Sequence, residues 1–266
     1  MFTKLDIINQ LKSMDAPTDK PVIVHTSLRA IGAVDGGAQG LLDAFIEYFT
    51  KDGGLLCVPT HTWANFDNKE EIILDMLDDK TCIGVLPNVA ASDKRGVRTE
   101  NPTHSLAVFG ARERVKKFVE CDKKVLTPTS PNGCYGKLFD MDGYVLLVGV
   151  GHDKNTYLHC VEEMLNLPNR ISDQAVDMKI RFSDRSVKNR KFCYMRTDVI
   201  YDVSLFFPKL EPAFRAHGGV KDGFIGNAPT ELCSARIMKD VMELVNKRSG
   251  GIELMSDDAP LKKEWY

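Results

Sequence analysis

The first fifty residues alternate between two apolar rhythms. Leu5, Ile8, Leu11 and Met14 recur at three-residue spacing, the period of one helix face, and predict an amphipathic opening helix. Val22-Ile23-Val24-His25 is a short apolar run that predicts a buried strand. After a turn-rich connection over residues 26–37, Leu41, Leu42, Phe45, Ile46 and Phe49 supply a second helical face, and Lys51-Asp52-Gly53-Gly54 stops it. Leu55-Leu56-Cys57-Val58-Pro59 predicts the next strand. Strand, helix and strand at this size make a βαβ unit, so the two strands are expected to run parallel.

Residues 63–80 are polar and acidic, with Asp67, Glu70, Glu71, Asp75, Asp78 and Asp79. That pattern suits a solvated helix face or a surface that attracts a cation. A short helix is expected over 84–91, a strand over 106–109, a helix over 111–119 and a loop over 126–132, where Pro128 and Pro131 fall. Tyr144-Val145-Leu146-Leu147-Val148-Gly149-Val150 is a strongly apolar strand, and Gly151-His152-Asp153-Lys154 a polar turn. Asn155 or Thr156 then suits the N-cap of a helix carrying His159. Lys179-Ile180-Arg181-Phe182 and Phe192-Cys193-Tyr194-Met195 alternate like antiparallel strands around a polar hairpin. A closing helix over 235–246 has Ile237, Val241, Leu244 and Val245 as its apolar stripe. The order predicts a single α/β domain over residues 1–266, with a mixed, partly parallel central sheet, flanking helices and late antiparallel strands.

Composition narrows the class. Lys plus Arg is 35 and Asp plus Glu is 37 in 266 residues, a net charge of −2 that gives no reason to expect nucleic acid or an anionic membrane. No apolar stretch approaches the roughly 20 residues that span a bilayer, and Met1-Phe2-Thr3-Lys4-Leu5-Asp6 lacks the layout of a signal peptide. Cysteines at 57, 82, 121, 134, 160, 193 and 233 include no Cys-x-x-Cys pair. They fit neither a disulfide framework nor a structural zinc site, and most read as small buried hydrophobes in a reduced compartment. A cytoplasmic protein is expected, as a monomer or homodimer.

Three apolar strands end in small or polar residues: His25-Thr26-Ser27, Pro59-Thr60-His61 and Gly149-Val150-Gly151-His152. If those strands are parallel, the ends share one edge of the sheet, where open α/β sheets bind ligands. There is no Gly-x-Gly-x-x-Gly, no phosphate-binding P-loop and no Gly-x-Ser-x-Gly elbow, which argues against a dinucleotide fold and against Ser27 as a hydrolase nucleophile. His159 shares a helix face with Glu162 and Glu163, and an imidazole oriented by a carboxylate is a ready general base. On its own such a pair is more often a surface pair or a satisfied core histidine. None of the six histidines forms a His-x-His or His-x-x-x-His pair, so no metal is expected. Cys160 points about 100° away from His159 around the helix and reads as a core residue.

Several segments together resemble the aminoglycoside 3-N-acetyltransferase family, whose fold is unrelated to that of the GCN5-type acetyltransferases. Val24-His25-Thr26-Ser27-Leu28-Arg29-Ala30-Ile31-Gly32 with Gly36-Gly37 is similar to its first motif, and Pro59-Thr60-His61-Thr62 to its second. Asn101-Pro102-Thr103-His104-Ser105-Leu106-Ala107 is similar to a third, and Ser130-Pro131 with Tyr135-Gly136-Lys137-Leu138 to a fourth. Leu146-Leu147-Val148-Gly149-Val150 running into Asn155-Thr156-Tyr157-Leu158-His159-Cys160-Val161-Glu162 is the most diagnostic, and Gly226-Asn227-Ala228 resembles a closing signature. The resemblance implies direct transfer of acetyl from acetyl-coenzyme A, as co-substrate, to an amine of an aminoglycoside or related polyamine. It makes His159 the base and Glu162, rather than Glu163, its orienting carboxylate. It implies that Thr26, Ser27, Leu28, Arg29, Ile31 and Gly32, with His104 and Ser105, bind coenzyme A. Thr60, Asp67, Asp198 and Asp202 are expected to meet the amine. Backbone N–H groups at residues 26–28, or Ser105, are expected to stabilise the thioester oxygen. Where many members have His-Pro, this chain has Asn101-Pro102. The alternatives are a coenzyme A-binding homologue without catalysis and an acetyltransferase for a non-antibiotic amine.

Overall fold

The central strands are apolar at nearly every position because they are covered on both faces. In the computed structural model, which describes residues 1–78 and 80–266, the strands are β1 (Pro21–Thr26), β2 (Leu55–Pro59), β3 (Leu74–Asp75), β4 (Val97–Arg98), β5 (Leu106–Phe109), β6 (Tyr144–Val148), β7 (Val176–Arg181), β8 (Val187–Phe192), β9 (Val220–Ile225) and β10 (Ala228–Ser234). The main sheet has the order β4-β5-β2-β1-β6-β10-β9, and β3-β7-β8 form a second, smaller sheet. β1 pairs in parallel with β2, Val22 opposite Leu56, and with β6, Val24 opposite Leu146. Every other pair in the main sheet is antiparallel. The mixed α/β sheet is therefore as expected, with its parallel part confined to the three central strands.

The two-residue period of a strand divides the core. Ile23, Leu55, Cys57, Val145 and Leu147 face one layer of helices, and Val22, Val24, Leu56, Val58, Leu146 and Val148 face the other. The second layer holds α1 (Lys4–Ser13) and α3 (Gly37–Phe49), with the short α2 (Leu28–Ile31) at its border. α4 (Trp63–Asp67) leaves the end of β2, and α5 (Val85–Ser92) packs on α3. The first layer contains α6 (Arg112–Val119), α7 (Gly136–Asp140), α8 (Tyr157–Met164), α9 (Glu211–Ala216) and α10 (Ala235–Arg248). No helix among the described residues is long and apolar enough to cross a membrane.

Several expectations need correction. In α1 the buried stripe is Ile7, Ile8 and Leu11, while Leu5 is 63% exposed, because the helix lies on the sheet one position round from the face the spacing suggested. The late hairpin is longer than expected: β8 ends at Phe192, so Cys193, Tyr194 and Met195 lie beyond it. In α10 the stripe uses Met238 and Met242, and Leu244 is half-buried. The β9–β10 hairpin was not foreseen. Its two-residue loop, Gly226-Asn227, has Gly226 at φ 58°, the conformation tight hairpin loops require.

The acidic stretch is neither a continuous helix nor a bare anionic surface. It folds into α4 and β3, and Glu71 and Asp75 pair with Lys179 and Arg181 at 2.8 Å each. Asp79 lies outside the described residues.

Candidate active site

Parallel pairing of β1, β2 and β6 places their carboxyl ends along one edge, and four histidines collect there. His25 shares the β1 face of Ile23, His61 leaves β2, His104 enters β5, and His159 stands in the first turn of α8. The His61 and His104 rings are 4.5 Å apart between centroids. Burial keeps three of these imidazoles neutral. It lowers His25 to about 4 and His104 to about 3, and it lowers His61 well below its ordinary value, helped by His104, His25, His159 and Arg98. His25 Nε2 is buried without a hydrogen-bond partner.

Among the described residues, His159 alone of the four has a carboxylate partner. Its Nδ1 is 3.0 Å from Glu162 Oε2, and its ring lies edge-on to Phe207 at 4.9 Å. Glu162 is fully buried. Its Oε1 accepts from Arg170 Nε at 2.5 Å, and Arg170 is clamped in turn by both oxygens of Glu253, at 2.8 and 2.9 Å. A carboxylate fixed in this way sets the tautomer of His159, Nδ1–H toward Glu162, and leaves Nε2 to take a proton.

Glu163 is not the solvated charge that its position on the helix suggests. Its carboxylate accepts from Thr127 Oγ1 (2.5 Å), Thr129 Oγ1 (2.7 Å) and Thr129 N (3.1 Å), and burial raises its pKa. Two adjacent acids on one helix thus do different work. Nor do Asn155 and Thr156 cap α8 with their side chains: Thr156 makes no cap bond, and Asn155 is buried against His152, Nδ2 to Nδ1 3.1 Å.

The other expected site residues fall into distinct groups. Ser27 caps α2, its Oγ accepting from Ala30 N at 3.3 Å, and its own N–H donates to Val148 O at 2.8 Å. That N–H is therefore spent, which removes it as an oxyanion donor. Thr26 and Leu28 are half-buried and Arg29 is exposed, but Ile31 is fully buried in the core and offers no surface to a ligand. Gly32 has φ 88°, and a Cβ there would stand 2.9 Å from Asn227 Nδ2. Gly149, at φ 64°, leaves no room either: a Cβ would meet that of Ala30 at 2.5 Å and that of Ala228 at 3.2 Å. The small residues of this loop thus serve close packing among β1, β6 and the β9–β10 turn, rather than open space.

Thr60 and Ser105 are both fully buried and bind each other: Ser105 Oγ donates to Thr60 O at 2.7 Å and lies 2.9 Å from Thr60 Oγ1. Arg98 Nε donates to the same Ser105 Oγ at 3.2 Å. Ser105 therefore cannot also donate to a thioester oxygen, and Thr60 cannot reach an acceptor amine without breaking this knot. His104 Nδ1 is 2.9 Å from Thr103 Oγ1. Asn101 is buried and has a clear structural part: Oδ1 accepts from His104 N (2.9 Å) while Nδ2 donates to Pro128 O (2.8 Å). Of the expected amine contacts, Asp198 is held in a two-bond pair by Arg196 (2.7 and 2.9 Å), and Asp202 Oδ1 accepts from Ser204 N and Oγ. Asp67 is exposed at the end of α4, with no ion pair among the described residues. Phe66 beside it stacks on Tyr194 at 5.1 Å, which brings α4 to the segment after β8.

A sequence profile of the aminoglycoside 3-N-acetyltransferase family matches residues 23–245. The chain belongs to that family. It is a family of acyltransferases, and its members include aminoglycoside N(3)-acetyltransferase IV of Salmonella sp, 29% identical over 173 residues. That alignment spans 63% of this chain and 61% of the relative. The prophage-derived aminoglycoside N(3')-acetyltransferase-like protein YokD of Bacillus subtilis (strain 168) is 26% identical over 275 residues, 94% of this chain and 95% of that protein. Among solved structures, AAC-IIIb in a binary complex with CoASH has a TM-score of 0.75 at 20% identity, covering 92% of this chain and 97% of that one. A histidine-to-alanine variant of AAC(3)-IVa bound to gentamicin has a TM-score of 0.74 at 23% identity, covering 97% and 96%. These structural likenesses concern the fold.

Within the family frame, separate motifs of this chain are seen to touch. The closing signature lies on the first motif, Asn227 N donating to Ile31 O at 3.0 Å. The fourth motif reaches the second and third through Tyr135, whose hydroxyl is 2.9 Å from His61 Nε2 and donates to His104 O at 3.3 Å. Arg98, Arg170, Phe207 and Glu253 were not singled out by sequence reasoning. Their neighbours in space are distant in sequence, and no local spacing marks them. A cleft of about 430 Å³ is lined by Leu205, Phe206, Pro208 and C-terminal residues including Tyr266, but by none of the four histidines. Among the described residues, two groups of possible metal ligands converge, Cys121-Asp122-Cys134 and His152-Glu231-Cys233, from separations that the spacing argument does not reach.

Proposed function

We propose that this protein transfers acetyl from acetyl-coenzyme A to an amine of an aminoglycoside, at the 3-amino group, or of a related amino sugar or polyamine. The observation that carries the reading is the chain from the half-buried His159 to the buried Glu162 and Arg170, at the carboxyl edge of the parallel strands. A protonated amine is not a nucleophile, so the site must accept its proton as it attacks. Nε2 of His159 takes that proton, and Glu162 stabilises the imidazolium that forms. The amine nitrogen bonds to the thioester carbonyl carbon, the C–S bond breaks, and coenzyme A leaves as a thiolate that regains a proton. His25, His61 and His104, neutral and without carboxylate partners among the described residues, are unsuited to hold that charge.

Coenzyme A is assigned to the loop over residues 26–32, beside His159. The reading is supported by family membership, by the loop's place at the strand edge, and by the complex of the structural neighbour AAC-IIIb with CoASH. His104 and Ser105, tied down by their own hydrogen bonds, act as the wall of the site rather than as free donors. Residues 1–266 work as one domain, because β1, β5, α8 and Glu253 all contribute to a single cluster. The seven free cysteines suit a reducing cytoplasm, and the reading holds for a monomer or a homodimer.

A second acceptor class is favoured by one observation. Arg196 already neutralises Asp198, and Asp202 is engaged as a cap, so two of the three carboxylates expected to meet a polycation are already committed. A non-antibiotic amine would ask less of them. A panel of aminoglycosides, linear polyamines and monoamines, assayed for release of the free coenzyme A thiol, tests both readings. Turnover of an aminoglycoside supports the first. Turnover of a monoamine alone selects the second, and thiol release equal with and without any amine contradicts both.

A further inference from the structure

Two cysteines form a pair outside the histidine cluster yet bonded into the turn that supports it. Cys121 lies in the 3-10 turn Glu120–Lys123, and Cys134 lies two residues before α7. Their sulfurs are 3.7 Å apart and both are free thiols. No other two cysteines make a sulfur–sulfur contact among the described residues.

We propose that Cys121 and Cys134 are a peroxide-oxidisable dithiol, in which Cys121 is oxidised first and Cys134 closes a disulfide. The two sulfurs are unequally placed. Cys121 is half-buried and within reach of solvent, whereas Cys134 is buried. Both sulfurs lie near Phe118 O, at 3.1 and 3.5 Å, and the Lys137 ammonium donates to the same oxygen at 3.0 Å. The half-buried Cys121 sulfur thus has the buried Cys134 sulfur and the Lys137 ammonium gathered around one carbonyl oxygen. An accessible thiolate beside a buried resolving thiol is the arrangement that oxidises reversibly. The two turns are also held in register, because Cys134 N donates to Asp122 Oδ1 at 2.8 Å.

The step balances with a hydroperoxide as oxidant. The Cys121 thiolate attacks the peroxide oxygen, an S–O bond forms, the O–O bond breaks, and the departing oxygen takes a proton. Cys134 then loses its proton and attacks the Cys121 sulfur. The S–S bond forms, the S–O bond breaks, and the released hydroxide leaves as water. Two thiols lose two electrons and one O–O bond gains them. The sulfurs must close from 3.7 Å to about 2.05 Å, and both sit in turns rather than in the sheet, where that movement is easiest. Tyr135, the next residue, holds His61 and His104 through its hydroxyl. Closing the disulfide therefore pulls on the histidine cluster. Only that last link rests on the proposed acetyl transfer; the thiol chemistry does not.

The test treats the full-length reduced protein with hydrogen peroxide, blocks remaining thiols with iodoacetamide, and maps peptides by mass spectrometry. A Cys121–Cys134 cross-link, cleaved by dithiothreitol, is expected to form at least about tenfold faster than the loss of Cys82 or Cys193. In Cys134→Ser, dimedone should trap a sulfenic acid at Cys121; in Cys121→Ser, Cys134 should stay unreacted. Should either variant not fold, the wild-type peptide map alone decides. Over-oxidation of Cys121 with Cys134 untouched, or loss of Cys82 and Cys193 at the same rate, overturns the proposal. Acetyl transfer is then measured on the cross-linked protein. A fall that dithiothreitol reverses supports the link through Tyr135, and unchanged turnover with full cross-linking overturns that link.

Discussion

Arg170 holds Glu162 from the side opposite His159. Its Nε donates to Oε1 while the imidazole occupies Oε2, so both carboxylate oxygens are committed inside a buried site. The guanidinium touches no reacting atom on this account and acts by positioning. Arg170→Gln should therefore lower kcat about tenfold or more while KM for acetyl-coenzyme A changes little, and the pH dependence of kcat should shift, because the imidazolium loses its oriented partner. An unchanged pH profile with a lower melting temperature would mean that Arg170 serves stability only.

Glu162 and Glu163 should separate cleanly. Glu162→Gln removes the charge that stabilises the imidazolium and is expected to cost at least about tenfold in kcat. Glu163→Gln weakens the contacts to Thr127 and Thr129, so it should destabilise the fold by about 1–2 kcal/mol and leave kcat per folded molecule near wild type. Equal losses of kcat at the two positions would contradict this division.

Acid should destabilise the fold through its buried imidazoles. His104 is depressed from 6.5 to about 3, so between those values the unfolded chain binds a proton that the folded chain refuses. Stability from this group is complete above pH 6.5 and is lost as pH falls toward 3. Glu231, raised to about 7, works in the opposite sense, which is why a variant isolates the effect better than the wild-type curve. Between pH 7 and 5 the wild type should lose on the order of 2 kcal/mol more than His104→Gln. Parallel denaturant curves for the two proteins across that range would show His104 to be protonated in the fold.

The acidic residues near the site should differ in their effect on the acceptor. Asp67→Asn is expected to raise the KM of a polyamine acceptor about threefold or more, measured with acetyl-coenzyme A saturating. Asp198→Asn should do less, since Arg196 already satisfies that carboxylate. The Asp67 effect should shrink as salt rises, because exposed charges are screened over about 8 Å at physiological ionic strength. A larger effect at Asp198, insensitive to salt, would place the acceptor against the segment after β8 instead.

What could be read in the sequence follows from which interactions are local. The parallel unit of β1, α3 and β2 was legible because its strands are continuous apolar runs and its helix keeps a 3.6-residue period. The β9–β10 hairpin was not, because β9 is an edge strand whose Lys221, Asp222 and Gly223 break the apolar signal. The His159–Glu162 pair was legible from three-residue spacing, but that spacing could not separate Glu162 from Glu163. Burial and the partners on each side do so, and those partners are remote: Arg170 pairs with Glu253, 83 residues away. Thr60 and Ser105, 45 residues apart, were expected to face ligands and instead bind each other. Polar residues at a strand edge look alike in sequence whether they meet a substrate or one another.

The most direct test of the central claim compares His159→Ala with wild type in two measurements on the same preparation. One is single-turnover acetyl transfer to the best acceptor of the amine panel. The other is the calorimetric affinity for coenzyme A. Loss of a general base should slow transfer by about 10²–10⁴-fold with coenzyme A affinity nearly unchanged. Near-full transfer by the folded variant would contradict the account, and so would an equal collapse of binding and turnover.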